Sequence, residues 1–219
     1  MVCSCRKNAL MTRCVLFDAL GTLVELEPPW THLGEELDID ADERLVAAVR
    51  AEMRYYREHS DEGRDAASLA DLRRRCAEIL SRELGRDVSV ERMMAAIRFR
   101  AFPDAAPSLA ELRAMGLRLV CVSNWDFSLS DVLARCGLAD HLDGVVTSAA
   151  VGARKPDPRI FEAALELAGC AAGDALHVGD TPEEDLEGAR TAGIRALLID
   201  RGDGGDIGSL AAIRHHLDS

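Results

Sequence analysis

Short apolar runs that stop at a polar residue recur along this chain, and apolar positions at helical spacing lie between them. Val15-Leu16-Phe17 is followed at once by Asp18 and then by a Gly21-Thr22 turn, which puts the carboxylate at the carboxyl end of a buried strand. After Val24 the pattern becomes helical and stays so to about Arg100. One predicted helix carries Leu45, Val49, Met53 and Tyr56, with Asp40 as N-cap and Glu43 three residues on. A second carries Leu69, Leu72, Cys76 and Ile79 after Ser68, and a third Val90, Met94 and Ile97 after Ser89. Glu27-Pro28-Pro29 and Ala101-Phe102-Pro103-Asp104 form stiff joints on either side of this block. Beyond the second joint, strands are predicted at 117–122, 145–147, 175–178 and 196–199. Helices are predicted to end near 112–115 and to span 126–136, 158–167 and 182–192. Such alternation predicts a Rossmann-like α/β fold, a parallel sheet with helices on both faces. The expected organisation is a core of residues 13–26 and 101–219, a helical cap of residues 27–100, and a poorly ordered tail of residues 1–12, with Met1 or Met11 as the native start.

Composition narrows the class. The 219 residues suffice for one domain with an insertion, and 48% hydrophobic with 29% charged residues is ordinary for a soluble globular protein. A formal charge of -12 argues against nonspecific binding to nucleic acid or to anionic membranes. No apolar run is long enough to span a bilayer, and residues 1–12 lack the apolar stretch of a secretory signal. Seven cysteines, scattered and odd in number, point to free thiols in the cytoplasm. The Cys3-x-Cys5 spacing alone is a weak metal signal. An acidic chain that handles an anionic small molecule must gather positive charge locally.

In a parallel sheet the carboxyl ends of neighbouring strands converge, so Asp18, Ser123 and Asp180 can face one pocket. Ser123 and Asn124 offer a hydroxyl and backbone N–H groups to an anion, and Lys155 sits in a basic pair with Arg154. His177-Val178-Gly179-Asp180-Thr181 is followed by Asp185. In this order these strand-end motifs resemble the haloacid dehalogenase superfamily of hydrolases, over roughly residues 13–200. The resemblance implies Asp18 as nucleophile, Thr22 orienting it or the anion, and Ser123, Asn124 and Lys155 at the phosphoryl group. Clustered carboxylates repel unless a cation lies among them, so Asp18, Asp180 and Asp185 imply Mg2+, and the resemblance implies the backbone carbonyl of Leu20 as a further ligand. Asp185 acts directly or through water, with Glu183 and Glu184 as substitutes.

One departure stands out. Phosphatases of that family carry a second Asp two residues after the nucleophile, as general acid and base, and here the position is Leu20. The expected activity is therefore a Mg2+-dependent phosphatase working through an aspartyl-phosphate on small phosphorylated metabolites with good leaving groups. The alternatives are a 2-haloacid dehalogenase, in which Arg50 or Arg54 would bind the carboxylate, and a phospho-ligand binder without turnover. Among the remaining candidates, His177 reads as a packed core histidine and His215 and His216 as helix-end cations. Trp125 is expected to pack against the cap, whereas Tyr55 and Tyr56 fit either the pocket face or the core of the cap.

Overall fold

The computed structural model describes residues 12–202 and 204–217. Strands β1 (Cys14–Phe17), β4 (Arg118–Ser123), β5 (Gly144–Thr147), β6 (Ala175–Gly179) and β7 (Arg195–Leu198) form one parallel sheet in the order β5-β4-β1-β6-β7. All four residues of β1 are fully buried, as a central parallel strand covered on both faces requires. Its side chains alternate in destination. Val15 and Phe17 join an apolar cluster with α5 (Ala105–Ala114) and α6 (Leu129–Arg135), while Cys14 and Leu16 join another with α8 (Pro158–Ala168) and α9 (Gly188–Thr191). The register sets Phe17 beside Cys121 on one side and Val178 on the other, so Asp18, Ser123 and Asp180 all emerge at the same edge.

A second layer intervenes between β2 (Val24–Leu26) and β3 (Phe99–Ala101), a short antiparallel pair. It consists of α1 (Pro29–Leu37), α2 (Glu43–His59), α3 (Ala66–Leu84) and α4 (Val90–Ala96), packed around their own cluster that includes Leu33, Leu45, Leu72 and Leu80. Local chemistry sets the helix ends. Asp65 and Ser68 close a capping box on α3, Ser89 caps α4, and Gly85 ends α3 in the left-handed region at φ 65°.

Several sequence expectations need correction. The α2 cap is Asp42, whose carboxylate accepts from the Leu45 N–H at 2.9 Å, and not Asp40. Ser68 lies inside the first turn of α3 and does not precede it. Pro29 does not merely stiffen the exit but opens α1, its fixed φ and missing N–H suiting a first helical position. The three-residue strands β2 and β3 were too short to show a period. The stretch expected as one helix from Pro182 begins as a π-helical turn, Pro182–Glu187, and becomes α-helical only at Gly188. Thr12, expected in the tail, is buried, its hydroxyl bonded to the Leu217 carbonyl and accepting from Arg195. The thiols expected to be free are so at Cys14, Cys76, Cys121, Cys136 and Cys170; Cys3 and Cys5 lie outside the described residues. Among the described residues no helix is long and apolar enough to cross a membrane.

The two layers meet through the segment after α2. The Tyr56 hydroxyl donates to Asp126 Oδ2 at 2.7 Å, the Phe127 N–H to the Gly63 carbonyl at 2.8 Å, and Arg154 to the Arg57 carbonyl at 3.0 Å. Under the sheet, Phe161 is fully buried with its ring edge-on to His177, centroids 5.2 Å apart. Phe161→Ala is expected to lower the unfolding free energy by about 3–5 kcal/mol, read as a lower urea midpoint at unchanged m-value.

Candidate active site

Asp18 leaves β1 with its N–H bonded to the Val178 carbonyl at 2.9 Å, which ties the turn to β6. Its Oδ1 accepts from the Ser123 hydroxyl at 2.9 Å and from Lys155 Nζ at 2.5 Å. The same ammonium donates to Asp185 Oδ1 at 2.6 Å, so one buried cation bridges two buried carboxylates. Asp185 is further held by His177 Nε2 at 2.9 Å and, through Oδ2, by the Thr181 N–H at 3.0 Å. Because an ionised carboxylate only accepts, this contact puts the His177 proton on Nε2. Two glycines make the approach possible. A Cβ on Gly179 would lie 2.1 Å from Asp185 Cγ, and one on Gly21, at φ +87°, 2.1 Å from Asp180 Oδ2.

Asn124 is committed to the lysine. Its Oδ1 accepts from the Lys155 N–H at 2.7 Å, while Nδ2 donates to the Lys155 carbonyl at 3.1 Å and to Glu184 Oε2 at 2.9 Å. The side chain expected at the phosphoryl group thus clamps the backbone that presents Lys155. Thr22 is not brought to the pocket: it is fully buried outside the cavity lining and its hydroxyl has no partner.

The electrostatics follow from one ammonium among three carboxylates. Burial first, then Asp185 and Asp180, push the Asp18 carboxyl up to about 6 against the pull of Lys155. For Asp185 burial is outweighed by Lys155 and His177, which hold it well below the usual carboxylate range. Lys155 itself is raised, its two carboxylate partners outweighing burial. Oxygens of Asp18, Asp180 and Asp185 lie within 4.8 Å of one another, a surplus of negative charge in an all-oxygen set that fits a hard divalent cation such as Mg2+.

A cavity of about 450 Å³ opens from this cluster to the helical layer. Asp18, Ser123, Asn124, Asp180 and Glu184 line its floor, and Leu20 stands at its edge beside them. Trp125, expected against the cap, belongs instead to the apolar cluster of the sheet, tilted against Phe99 of β3 at 5.2 Å between ring centroids, and it also lines the cavity. Tyr56 lines the cavity, whereas Tyr55 stacks on His59 at 4.0 Å and accepts from Arg75. Arg50 and Arg54 are exposed and absent from the lining, which instead holds Arg57, Arg73, Arg135 and Arg154. The sequence reading missed two partnerships, His177 with Asp185 and Asn124 with Lys155. A histidine in an otherwise apolar strand was the available signal for the first, since a buried ring nitrogen needs a partner.

Comparison with known proteins agrees with this geometry. A family model described as haloacid dehalogenase-like hydrolase matches residues 12–193. The chain is 29% identical over 211 residues to a glyceraldehyde 3-phosphate phosphatase of Methanopyrus kandleri, covering 88% of this chain and 85% of that one. It is 44% identical over 106 residues to a phosphoserine phosphatase of Thermus thermophilus, covering 48% of this chain and less than half, 43%, of that relative's length. The crystal structure of a HAD phosphatase from Thermococcus onnurineus superposes with a TM-score of 0.67 at 27% identity, covering 94% of this chain and 98% of that one. Similar structures include 2-haloacid dehalogenases as well. With the match covering residues 12–193, and so every carboxylate and the lysine of this cluster, the chain belongs to the haloacid dehalogenase-like hydrolases.

Proposed function

We propose that this hydrolase is a Mg2+-dependent phosphatase for small phosphorylated metabolites, with Asp18 as nucleophile. The observation that carries the reading is the third carboxylate, Asp180, set against the Gly21 turn beside the Asp18–Lys155–Asp185 bridge. A dehalogenase needs no cation and has no use for that surplus of charge, and the long-range relative named above is a phosphatase.

In this reading the Asp18 oxygen not taken by Lys155 attacks phosphorus, and the bond to the leaving oxygen breaks. An aspartyl-phosphate results, and water attacking the same phosphorus releases phosphate and restores Asp18. Lys155 and Ser123 hold one carboxylate oxygen still, which aims the other, and the Lys155 charge offsets the anionic group as it arrives. Asp18, Asp180 and the Leu20 carbonyl are the groups to hold Mg2+ directly. Asp185, with both oxygens already engaged, serves through water. When bound, the ion supplies neutralisation of the phosphoryl oxygens.

Leu20 donates no proton, so the leaving group departs unprotonated, which favours acyl and aryl phosphates. The layer of α1 to α4 acts as a cap that closes the cavity and excludes water. Free thiols at five described cysteines support a reducing compartment, the cytoplasm.

Release of phosphate from p-nitrophenyl phosphate and acetyl phosphate is expected with Mg2+, lost in EDTA, and lowered on the order of 10³-fold or more in Asp18→Asn. Chloride release from 2-chloropropionate that is indifferent to EDTA would replace the phosphatase by a dehalogenase. Leu20→Asp is expected to raise kcat/KM for an alkyl phosphate by about 10²-fold relative to acetyl phosphate. An unchanged ratio between the two substrates would show that proton donation does not limit this site.

A further inference from the structure

An apolar wall of the cavity begins at Leu20, which is bridged to Val24 at the start of β2. Leu26 and Phe99 are paired across β2 and β3 and so share one face of that ribbon, and the Phe99 ring is tilted against Trp125. Met94 and Ile97, three apart at the end of α4, complete the wall. All six of these side chains border the cavity that opens from Asp18, and all but Trp125 are only half-buried. Several polar groups of the lining are instead engaged within the protein: Tyr56 with Asp126, Glu52 with the Cys76 thiol, and Asn124 with Lys155 and Glu184. Of the arginines there, Arg57 and Arg135 are exposed, and Arg154 donates to the Arg57 carbonyl.

Two constraints meet at this wall. Leu20 donates no proton, so the leaving oxygen must be weakly basic as it departs, which acyl and aryl phosphates satisfy and simple alkyl phosphates do not. Half-buried apolar side chains on a concave wall favour an occupant that covers them with apolar surface, as an aryl ring does and a short acyl group does not. An apolar cavity of about 150 Å³ accommodates one benzene ring. The cavity here, at about 450 Å³, has room for a phosphoryl group and a fused pair of rings. The rings of Phe99 and Trp125 and the Met94 thioether are favourable partners for an aromatic occupant.

We infer from this wall that the preferred substrate is an aryl phosphomonoester, its phosphate at Asp18 and its ring against Leu20, Leu26, Met94, Ile97, Phe99 and Trp125. The inference rests on the phosphatase reading for the phosphate end of the ligand, and it chooses among the leaving groups which that reading allows. Attack by Asp18 breaks the bond between phosphorus and the aryl oxygen, which leaves with the electron pair as aryloxide. The water that then releases phosphate from Asp18 gives up the proton that converts the aryloxide to a phenol. Phenols ionise at roughly 10, low enough for departure as the anion.

Non-hydrolysable phosphonates separate recognition from turnover. With the full chain and Mg2+, calorimetry is expected to show 1-naphthylmethylphosphonate binding at least about tenfold tighter than 3-hydroxypropylphosphonate. Met94→Gln combined with Ile97→Thr, close in volume and checked for folding by circular dichroism, is expected to bring the two within about threefold. Met94→Leu combined with Ile97→Val is expected to keep the ratio. In turnover, KM for 1-naphthyl phosphate is expected at least about tenfold below that for acetyl phosphate. The inference is overturned if the two phosphonates bind alike, if 2-carboxyethylphosphonate or 3-aminopropylphosphonate binds best, if the polar double variant leaves the ratio intact, or if none binds. Should the ring preference hold while neither phosphate ester is cleaved, the ring site stands and the hydrolytic reading falls. Should acetyl phosphate be cleaved while the phosphonates bind alike, the hydrolytic reading stands and the ring site falls.

Discussion

Everything at the strand ends depends on one buried ammonium. Lys155 reaches Asp18 at 2.5 Å and Asp185 at 2.6 Å with almost no exposure, and neither carboxylate could remain ionised there without it. Its position is in turn set by Asn124, which grips the Lys155 N–H and carbonyl together from the end of β4. Glycines at positions 21 and 179 let the carboxylates close in on that charge where any Cβ would collide. The cluster is thus over-determined from three strands and a loop. Asp18, the proposed nucleophile, is held on one oxygen by Ser123 and Lys155, which on that reading sets its direction of attack before substrate arrives.

The sheet makes this convergence inexpensive in sequence terms. Parallel register carries residues more than a hundred positions apart to one edge, so Ser123 needs only to end β4 to meet Asp18. The helical layer brings the other wall of the cavity from elsewhere in the chain. It enters between β2 and β3, whose pairing fixes where it leaves and rejoins the core, and Tyr56 and Gly63 fasten it to the loop after β4. Floor and roof of the cavity can therefore vary separately, the floor fixed by electrostatics and the roof by side-chain choice on α2 and α4.

The sheet and the strand-end residues were legible because each depends on a local signal, an apolar run that stops at a polar group. Asp18, Ser123 and Asp180 were singled out this way, Lys155 by its basic pair with Arg154 and Asp185 by the motif it follows, and the structure brings all five together. Partnerships were not legible. Nothing local in Asn124 announces the Lys155 backbone, because that contact spans 31 residues and exists only after folding. Thr22, only four positions after Asp18, turns into the core. The cavity-facing side of α2 was hidden for the opposite reason: Glu52 in an amphipathic helix looks like an ordinary solvated residue until a cavity is found over it.

Leu20 and the helical wall of the cavity belong to one problem. A site without a proton donor beside the leaving oxygen must accept substrates that leave as anions, and discrimination then has to come from contacts remote from the reacting bond. Leu20 lines the cavity together with Asp18, packs partly against the apolar cluster of the sheet and offers no proton donor there. Groups of α2 that line the cavity meanwhile sit where burial magnifies electrostatic contrasts beyond what water would allow. On the proposed phosphatase reading, a site with leucine in place of the general acid has its selectivity to draw from the facing helix.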